Sequence, residues 1–162
     1  MEFEFYTNLD FIGRWWGERA WWEKWYINTN SAWIDSTIEL SEQDTGVLTS
    51  ASRPLQGQSP YVWNFQLGYD DLDRGINTAL LFNIFGERIV DVGTAGAPDI
   101  YQEPRPVLDF VYAHKFGRDD NWKFKFRARN LLDAEVELTQ GDKTVRNFFV
   151  GREYTVGLEW SF

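Results

Sequence analysis

The last eleven residues, 152–162, constrain this chain more than any other stretch. Tyr154, Val156, Leu158, Trp160 and Phe162 are apolar, and Glu153, Thr155, Gly157, Glu159 and Ser161 between them are polar or small. Strict alternation with period two makes a strand with one greasy and one wet side. The greasy side is rich in large aromatics, and the wet side carries carboxylates too hydrophilic for a small core. A soluble barrel turns its apolar side inward. This pattern instead suits a strand with lipid on one side and a water-filled lumen on the other.

The same alternation recurs along the chain. A first strand is expected over 2–11, with Phe3, Phe5, Leu9 and Phe11 in phase. A second is expected over 22–40. There Trp25, Ile27 and Trp33 share a phase that Ile34, Ile38 and Leu40 leave, which predicts a bulge near Trp33–Asp35. The third is the cleanest: Tyr61, Trp63, Phe65, Leu67 and Tyr69 alternate with Val62, Asn64, Gln66, Gly68 and Asp70. A fourth starts at Ile76 and runs toward Val92, and a fifth covers 107–116. A sixth runs from Trp122 to Leu138 with an irregularity at Asn130–Asp133, and a seventh covers 145–162. The expected fold is all-β, an antiparallel transmembrane β-barrel segment of about seven to eight up-and-down strands, forming one domain over 1–162.

The connections suggest an orientation. Short turns at 71–75 and 117–121 alternate with longer loops at 41–59 and 93–106. Outer-membrane barrels keep short turns on the periplasmic side and long loops outside. Trp15, Trp16, Trp21 and Trp22 then fit an interfacial belt around a periplasmic turn, and any eighth strand would lie within 12–25.

Composition narrows the function classes. Aromatics reach 18%, an excess that two membrane-interface girdles would explain. Mean hydropathy is -0.45, and no run of 18 apolar residues exists, so a transmembrane helix is not expected. A net charge of -9 argues against a nucleic-acid partner. With no cysteine there is neither a disulfide framework nor a thiol nucleophile. The single histidine, His114, is in phase with Phe110 and Phe116 and reads as an interfacial aromatic. No metal, cofactor or catalytic arrangement is expected. The carboxylates of Asp70, Asp71, Asp73, Asp119 and Asp120 lie in turns and read as solvating groups, with a Ca²⁺ site as the minor alternative. The strand pattern begins almost at Met1 with no signal peptide before it, so an excised, processed or engineered piece is expected.

One charged row stands out. Lys123, Lys125, Arg127 and Arg129 alternate with Trp122, Phe124, Phe126 and Ala128. On a lipid-facing side each cation would cost about 2–4 kcal/mol at the bilayer midplane. The row is therefore expected to face the lumen, paired with Glu or Asp from neighbouring strands; a surface steering anionic chelates is the sharper alternative.

Several stretches together resemble a known family. Thr155, Gly157, Trp160 and Phe162 match the polar-x-Gly-x-x-aromatic-x-aromatic signal that resembles the terminal strand of outer-membrane barrels. RPLQGQSPYV (53–62), FNIFGERIVDVG (82–93), PDIYQEPRP (98–106) and ARNLLDAEVELTQG (128–141) are similar to late barrel segments of TonB-dependent receptors, in family order. Residues 1–52 resemble the preceding strands more loosely. The resemblance implies the final third of a 22-stranded, plugged barrel that imports scarce nutrients, often ferric siderophores. Neither a candidate plug nor a TonB-contacting box is present, so transport by this chain alone is not implied.

In that reading the chain sits in the outer membrane of a Gram-negative cell. Tyr61, Trp63, Phe65, Leu67, Tyr69, Tyr154, Val156 and Leu158 face lipid, and the terminal signal engages the outer-membrane assembly machinery. The remaining strands come from elsewhere in a larger barrel or from self-association. An engineered small membrane barrel, a soluble small-ligand barrel with Trp63, Phe65, Phe124 and Trp160 turned inward, and a piece devoted to self-association or assembly stay open as alternatives.

Overall fold

The computed structural model describes residues 1–16, 19–40 and 46–161. In chain order the elements are β1 (Glu2–Asn8), helices α1 (Asp10–Trp16) and α2 (Arg19–Trp22), β2 (Trp25–Trp33), β3 (Ile38–Glu39), β4 (Ser52–Arg53), β5 (Tyr61–Asp71) and β6 (Ile76–Phe85). There follow β7 (Arg88–Asp91), β8 (Ile100–Gln102), β9 (Val107–Phe116), a 3₁₀ turn at Arg118–Asp120, β10 (Trp122–Arg129), β11 (Val136–Gln140), β12 (Lys143–Phe148) and β13 (Glu153–Trp160). Among the described residues strands far outweigh the few short helices, which makes the fold all-β.

Seven strands form one sheet in the order β1-β2-β5-β6-β9-β10-β13, with every neighbouring pair antiparallel. This is the expected up-and-down meander. At one end of the sheet, the turn end, lie α1, α2 and the tight connections 72–75 and 117–121. At the other, the loop end, the chain makes longer excursions. There β7, β8, β11 and β12 form a second, four-stranded sheet in the order β12-β11-β8-β7, and β3 pairs with β4. The segment 46–60 joins this layer, since Thr49 N–H donates to Gly93 O at 3.0 Å and Gly57 N–H to Ile89 O at 2.8 Å. Ile89 beneath them is fully buried.

The structure corrects several expectations. The seven-stranded sheet does not close on itself, and β1 and β13 remain its edges. The first strand stops at Asn8, because Asp10 opens α1. An acidic residue in the first turn suits the helix dipole, and Phe11/Trp15 and Ile12/Trp16 fall four residues apart, where helix neighbours meet. Residues 10–22 therefore contribute no eighth strand among the described residues. No bulge reconciles the two phases near Trp33: β2 ends there, and Ile34 N–H donates to Pro60 O at 2.9 Å as the chain leaves the sheet. The fourth strand breaks at Gly86, which packs so tightly on the Tyr61 ring that a Cβ would lie 2.8 Å from it.

The sixth and seventh strands each divide. Asn130 (φ 54°) and Asp133 (φ 47°) adopt left-handed backbone, which asparagine and aspartate tolerate better than other side chains. Asn130 Nδ2 donates to Gly151 O at 2.8 Å, and Gly151 N–H donates to Asp133 Oδ1 at 3.1 Å. These bonds close the base of the β11–β12 hairpin and turn it into the second sheet. The loop expected over 93–106 likewise contains β8. Of the loop expected over 41–59, residues 41–45 lie outside the described residues.

Candidate functional site

Register decides which side chains share a face, because directly paired residues point the same way. Along one row Thr29 pairs with Phe65, Phe65 with Phe82 and Phe82 with Leu108. Nearer the turn end Ile76 pairs with His114, His114 with Phe124 and Phe124 with Leu158. The face so defined carries Phe3 and Phe5, then Trp25, Ile27 and Trp33, and all of Tyr61, Trp63, Phe65, Leu67 and Tyr69. It continues without interruption to Tyr154, Val156, Leu158 and Trp160. No strand contributes an ionised side chain to it except Asp71, at the turn-end limit of β5.

Apart from the turn end, where Trp21 of α2 lies 5.4 Å from Trp25, centroid to centroid, no described element covers this face. Val156 is 67% exposed and Trp63 45%. Among the described residues the buried apolar ones are Leu9, Ala79, Ile89, Ala128 and Val136, two of them alanines. Contiguous exposed apolar surface on this scale marks an interaction surface.

The face is also graded. Trp33, Tyr61, Trp63 and Tyr154 stand toward the loop end. Trp25, Tyr69, Phe116, Trp122 and Trp160 stand toward the turn end. At the turn end the rings touch, with Trp25 and Tyr69 centroids 5.0 Å apart and Trp122 and Trp160 6.2 Å apart. From Tyr61 to Tyr69 the strand advances roughly 26 Å. His114 lies in this aromatic row, 5.7 Å from Phe116 and 6.3 Å from Tyr112, centroid to centroid.

The indole of Trp63 on the apolar face is satisfied internally, whereas the buried Trp25 Nε1 has no hydrogen-bond partner among the described residues. Trp63 Nε1–H donates to Thr29 Oγ1 at 2.8 Å, and the Thr29 hydroxyl donates to Asn64 O at 2.9 Å. The indole N–H therefore needs no water.

The opposite face is mixed, with Val62, Leu81, Phe85, Val107 and Val111 among its polar residues. In β2, β5 and β6 it carries an amide ladder. Asn64 Nδ2 donates to Asn30 Oδ1 at 2.7 Å, and Asn83 Nδ2 donates to Asn64 Oδ1 at 2.6 Å. These residues, with Asn28, Gln66 and Asp109 and the apolar Leu81 and Val107, line a concavity of about 260 Å³. Tyr26 lies over Gly68, where any Cβ would collide with its ring, and accepts from Gln66 Nε2 at 3.0 Å.

Further along the same face stand Lys123, Lys125, Arg127 and Arg129, paired in register with Glu159, Gly157, Thr155 and Glu153 of β13. Lys125 forms an ion pair with Glu159, and Arg129 Nη1 lies 3.7 Å from Glu153. Of the terminal motif, Thr155 and Gly157 occupy the polar face and Trp160 the apolar one. Phe162 lies outside the described residues.

One arrangement escaped the sequence reading. Asp71, expected to be a solvated turn residue, is 1% exposed. Lys24 Nζ lies 2.7 Å from its Oδ1, the Tyr69 hydroxyl donates to Oδ2 at 2.9 Å, and Arg74 N–H donates to Oδ1 at 3.2 Å. Lys24 stands in the turn between α2 and β2. Its ammonium is held above the ordinary lysine value, chiefly by the hydrogen bond to Asp71, against the opposing effect of burial. The cluster ties the tryptophan-rich segment to the 72–75 turn. A buried acid near a lysine in another turn leaves no periodic signal, although the run of acids at 70–73 marks the place.

Among the described residues no group of three or more His, Asp or Glu side chains is placed to hold a metal ion. No helix among them is long and apolar enough to cross a membrane. Comparisons with protein-family models, curated proteins and solved structures return no match.

Proposed function

We propose that the chain is a lipid-facing wall of an outer-membrane β-barrel of the kind found in TonB-dependent receptors for ferric-siderophore or other nutrient uptake. The observation that carries this reading is the uncovered apolar face running through all seven strands, backed by a face of amides and paired charges. Lipid solvates the first face and lumen water the second. The roughly 26 Å between the aromatic groups at the two ends, measured along the strand, is on the scale of the apolar band of such barrels, about 25 Å. The ion pairs on the Lys123–Arg129 row suit a solvated lumen wall.

The strands described line a lumen without enclosing one. Transport therefore belongs, in this reading, to a complete receptor. The resemblance of segments 53–62, 82–106 and 128–141 to late barrel strands supports the receptor class, and Thr155, Gly157, Trp160 and Phe162 are the proposed assembly signal. A soluble carrier would need Tyr61, Trp63, Phe65, Leu67 and Tyr69 around a dry centre, and among the described elements only α2, at the turn end, packs on that face.

Circular dichroism and sedimentation test the reading together. The chain should give a β-rich spectrum and a single species in detergent micelles or lipid, and should aggregate on detergent removal. A monodisperse, folded protein in plain buffer would refute the proposal.

A further inference from the structure

The concavity beside the amide ladder carries chemistry that a merely solvated wall does not need. Two adjacent register rows build it. Asn30, Asn64, Asn83 and Val107 form one row. Asn28, Gln66, Leu81 and Asp109 form the next. Paired residues share a face, so both rows open to the same side, around a space of about 260 Å³.

Bonds within the array orient its amides. Asn83 Nδ2 donates to Asn64 Oδ1, and Asn64 Nδ2 donates to Asn30 Oδ1. Gln66 Nε2 donates to the Tyr26 hydroxyl, and Asp109 Oδ1 accepts from the Asn130 N–H at 2.9 Å. Hydrogen bonds among the described residues thus leave the side-chain carbonyls of Asn28, Gln66 and Asn83 and the second oxygen of Asp109 without a donor. Asn28 Oδ1 is buried and still accepts nothing from any described residue. A buried acceptor without a donor is costly, and a ligand hydroxyl relieves that cost.

The free groups set the ligand class. Spare amide N–H groups stand beside the spare carbonyls, so the site donates as well as accepts. Leu81 and Val107 add an apolar patch to the same opening. A metal ion or an ammonium uses neither donors nor hydrocarbon, and an anion would meet Asp109. A sugar uses all of them: each hydroxyl donates and accepts, and the ring C–H groups cover the apolar patch. The space is smaller than the roughly 300–1,000 Å³ of pockets for drug-sized ligands, which suits a single ring.

We propose that this concavity binds one ring of a neutral saccharide. Asn28, Gln66, Asn83 and Asp109 receive its hydroxyls, and Leu81 and Val107 its C–H face. The site rests on the reading of this face as a lumen wall and names the class of nutrient that the wall contacts.

Saturation-transfer NMR tests it on the full chain in lauryldimethylamine oxide, a detergent without a sugar headgroup. The probes are glucose, galactose, mannose, xylose and N-acetylglucosamine, with methylammonium as the cationic comparison. At least one sugar should receive saturation at its ring C–H protons. Asn28→Ala and Asn83→Ala each remove an acceptor and should weaken its apparent affinity about fivefold, the loss of roughly one neutral hydrogen bond. Circular dichroism checks that each variant folds, and either one suffices. Lys125→Gln, on the same face but outside the opening, should leave the affinity unchanged.

Silence from all the sugars, or transfer that the alanine variants leave intact, would overturn the proposal. Transfer to methylammonium alone, lost in Asp109→Asn, would overturn it as well by showing a cation site. Tryptophan quenching by brominated lipid, measured separately in vesicles, reads the other face. Strong quenching with silent sugars removes the saccharide site alone, whereas absent quenching removes the lumen reading on which the site rests.

Discussion

The ring of Tyr26 lies across Gly68, its direct partner in the β2–β5 register, and occupies the space any side chain there would need. Gly68→Ala should therefore displace the ring and its hydrogen bond with Gln66. The expected cost is about 1–3 kcal/mol, as for other insertions into packed sites. Urea unfolding in micelles reads this as a lower midpoint. In a Tyr26→Ala background the same substitution should cost little, since the two residues are coupled. An equal loss in both backgrounds would show that the glycine serves another purpose.

Thr29 and Trp63 give a second test. Thr29→Val removes the acceptor of the indole N–H on the apolar face. In hydrocarbon the orphaned donor should cost about 1–3 kcal/mol. Adding Trp63→Phe, which removes the donor, should recover most of it. If Thr29→Val is neutral in lipid, water reaches this face and the lipid assignment weakens.

Val156 and Thr155 are adjacent on β13 but point to opposite faces. Arginine at Val156 should lower stability in bilayers by about 2–4 kcal/mol near the midplane. Thr155→Glu, facing Arg127, should be nearly neutral. Since Val156 is 67% exposed, the arginine should be tolerated if that surface meets water. Equal effects of the two substitutions in lipid would contradict the assignment of faces.

The Lys24–Asp71 pair sets a pH dependence. The Lys24 ammonium titrates above its ordinary value in the folded protein. The stability it supplies is whole below the unfolded lysine value of about 10.4 and is lost as pH rises through the higher folded value. Unfolding midpoints of the wild type should fall across that alkaline range more steeply than those of Lys24→Met. At neutral pH, Lys24→Met should be more damaging than the double change with Asp71→Asn, because the single change leaves a buried carboxylate with only the more distant Arg74 Nε, at 3.9 Å, as a cation. A single variant as stable as the double would show that the pair carries no stability.

Much of the main sheet was legible because a half-buried strand writes its faces into alternate residues. Tyr61 to Tyr69 and Trp122 to Ala128 kept their phase, and β5 and β10 lie where the alternation puts them. The failures arose where another period or a single contact governs. Phe11/Trp15 and Ile12/Trp16 are spaced for a helix, but glycines at 13 and 17 and the density of tryptophans suggested a turn. The hairpin over 136–148 continues the alternation of β10, so the pattern hid the bend at Asn130 and Asp133, visible only through left-handed backbone and bonds to Gly151. The amide ladder was present as Asn30, Asn64 and Asn83 out of phase with the apolar residues, but its connection needed the strand register.

Tryptophan fluorescence in vesicles of brominated phosphatidylcholine tests the central claim most directly. With Trp33 and Trp63 toward one limit of the apolar face and Trp25, Trp122 and Trp160 at the other, bromines near the headgroups should quench strongly, and more than bromines at the bilayer centre. Fluorescence unchanged by bromine at either depth, from chain that remains folded and vesicle-associated, would mean that the aromatic face does not meet hydrocarbon.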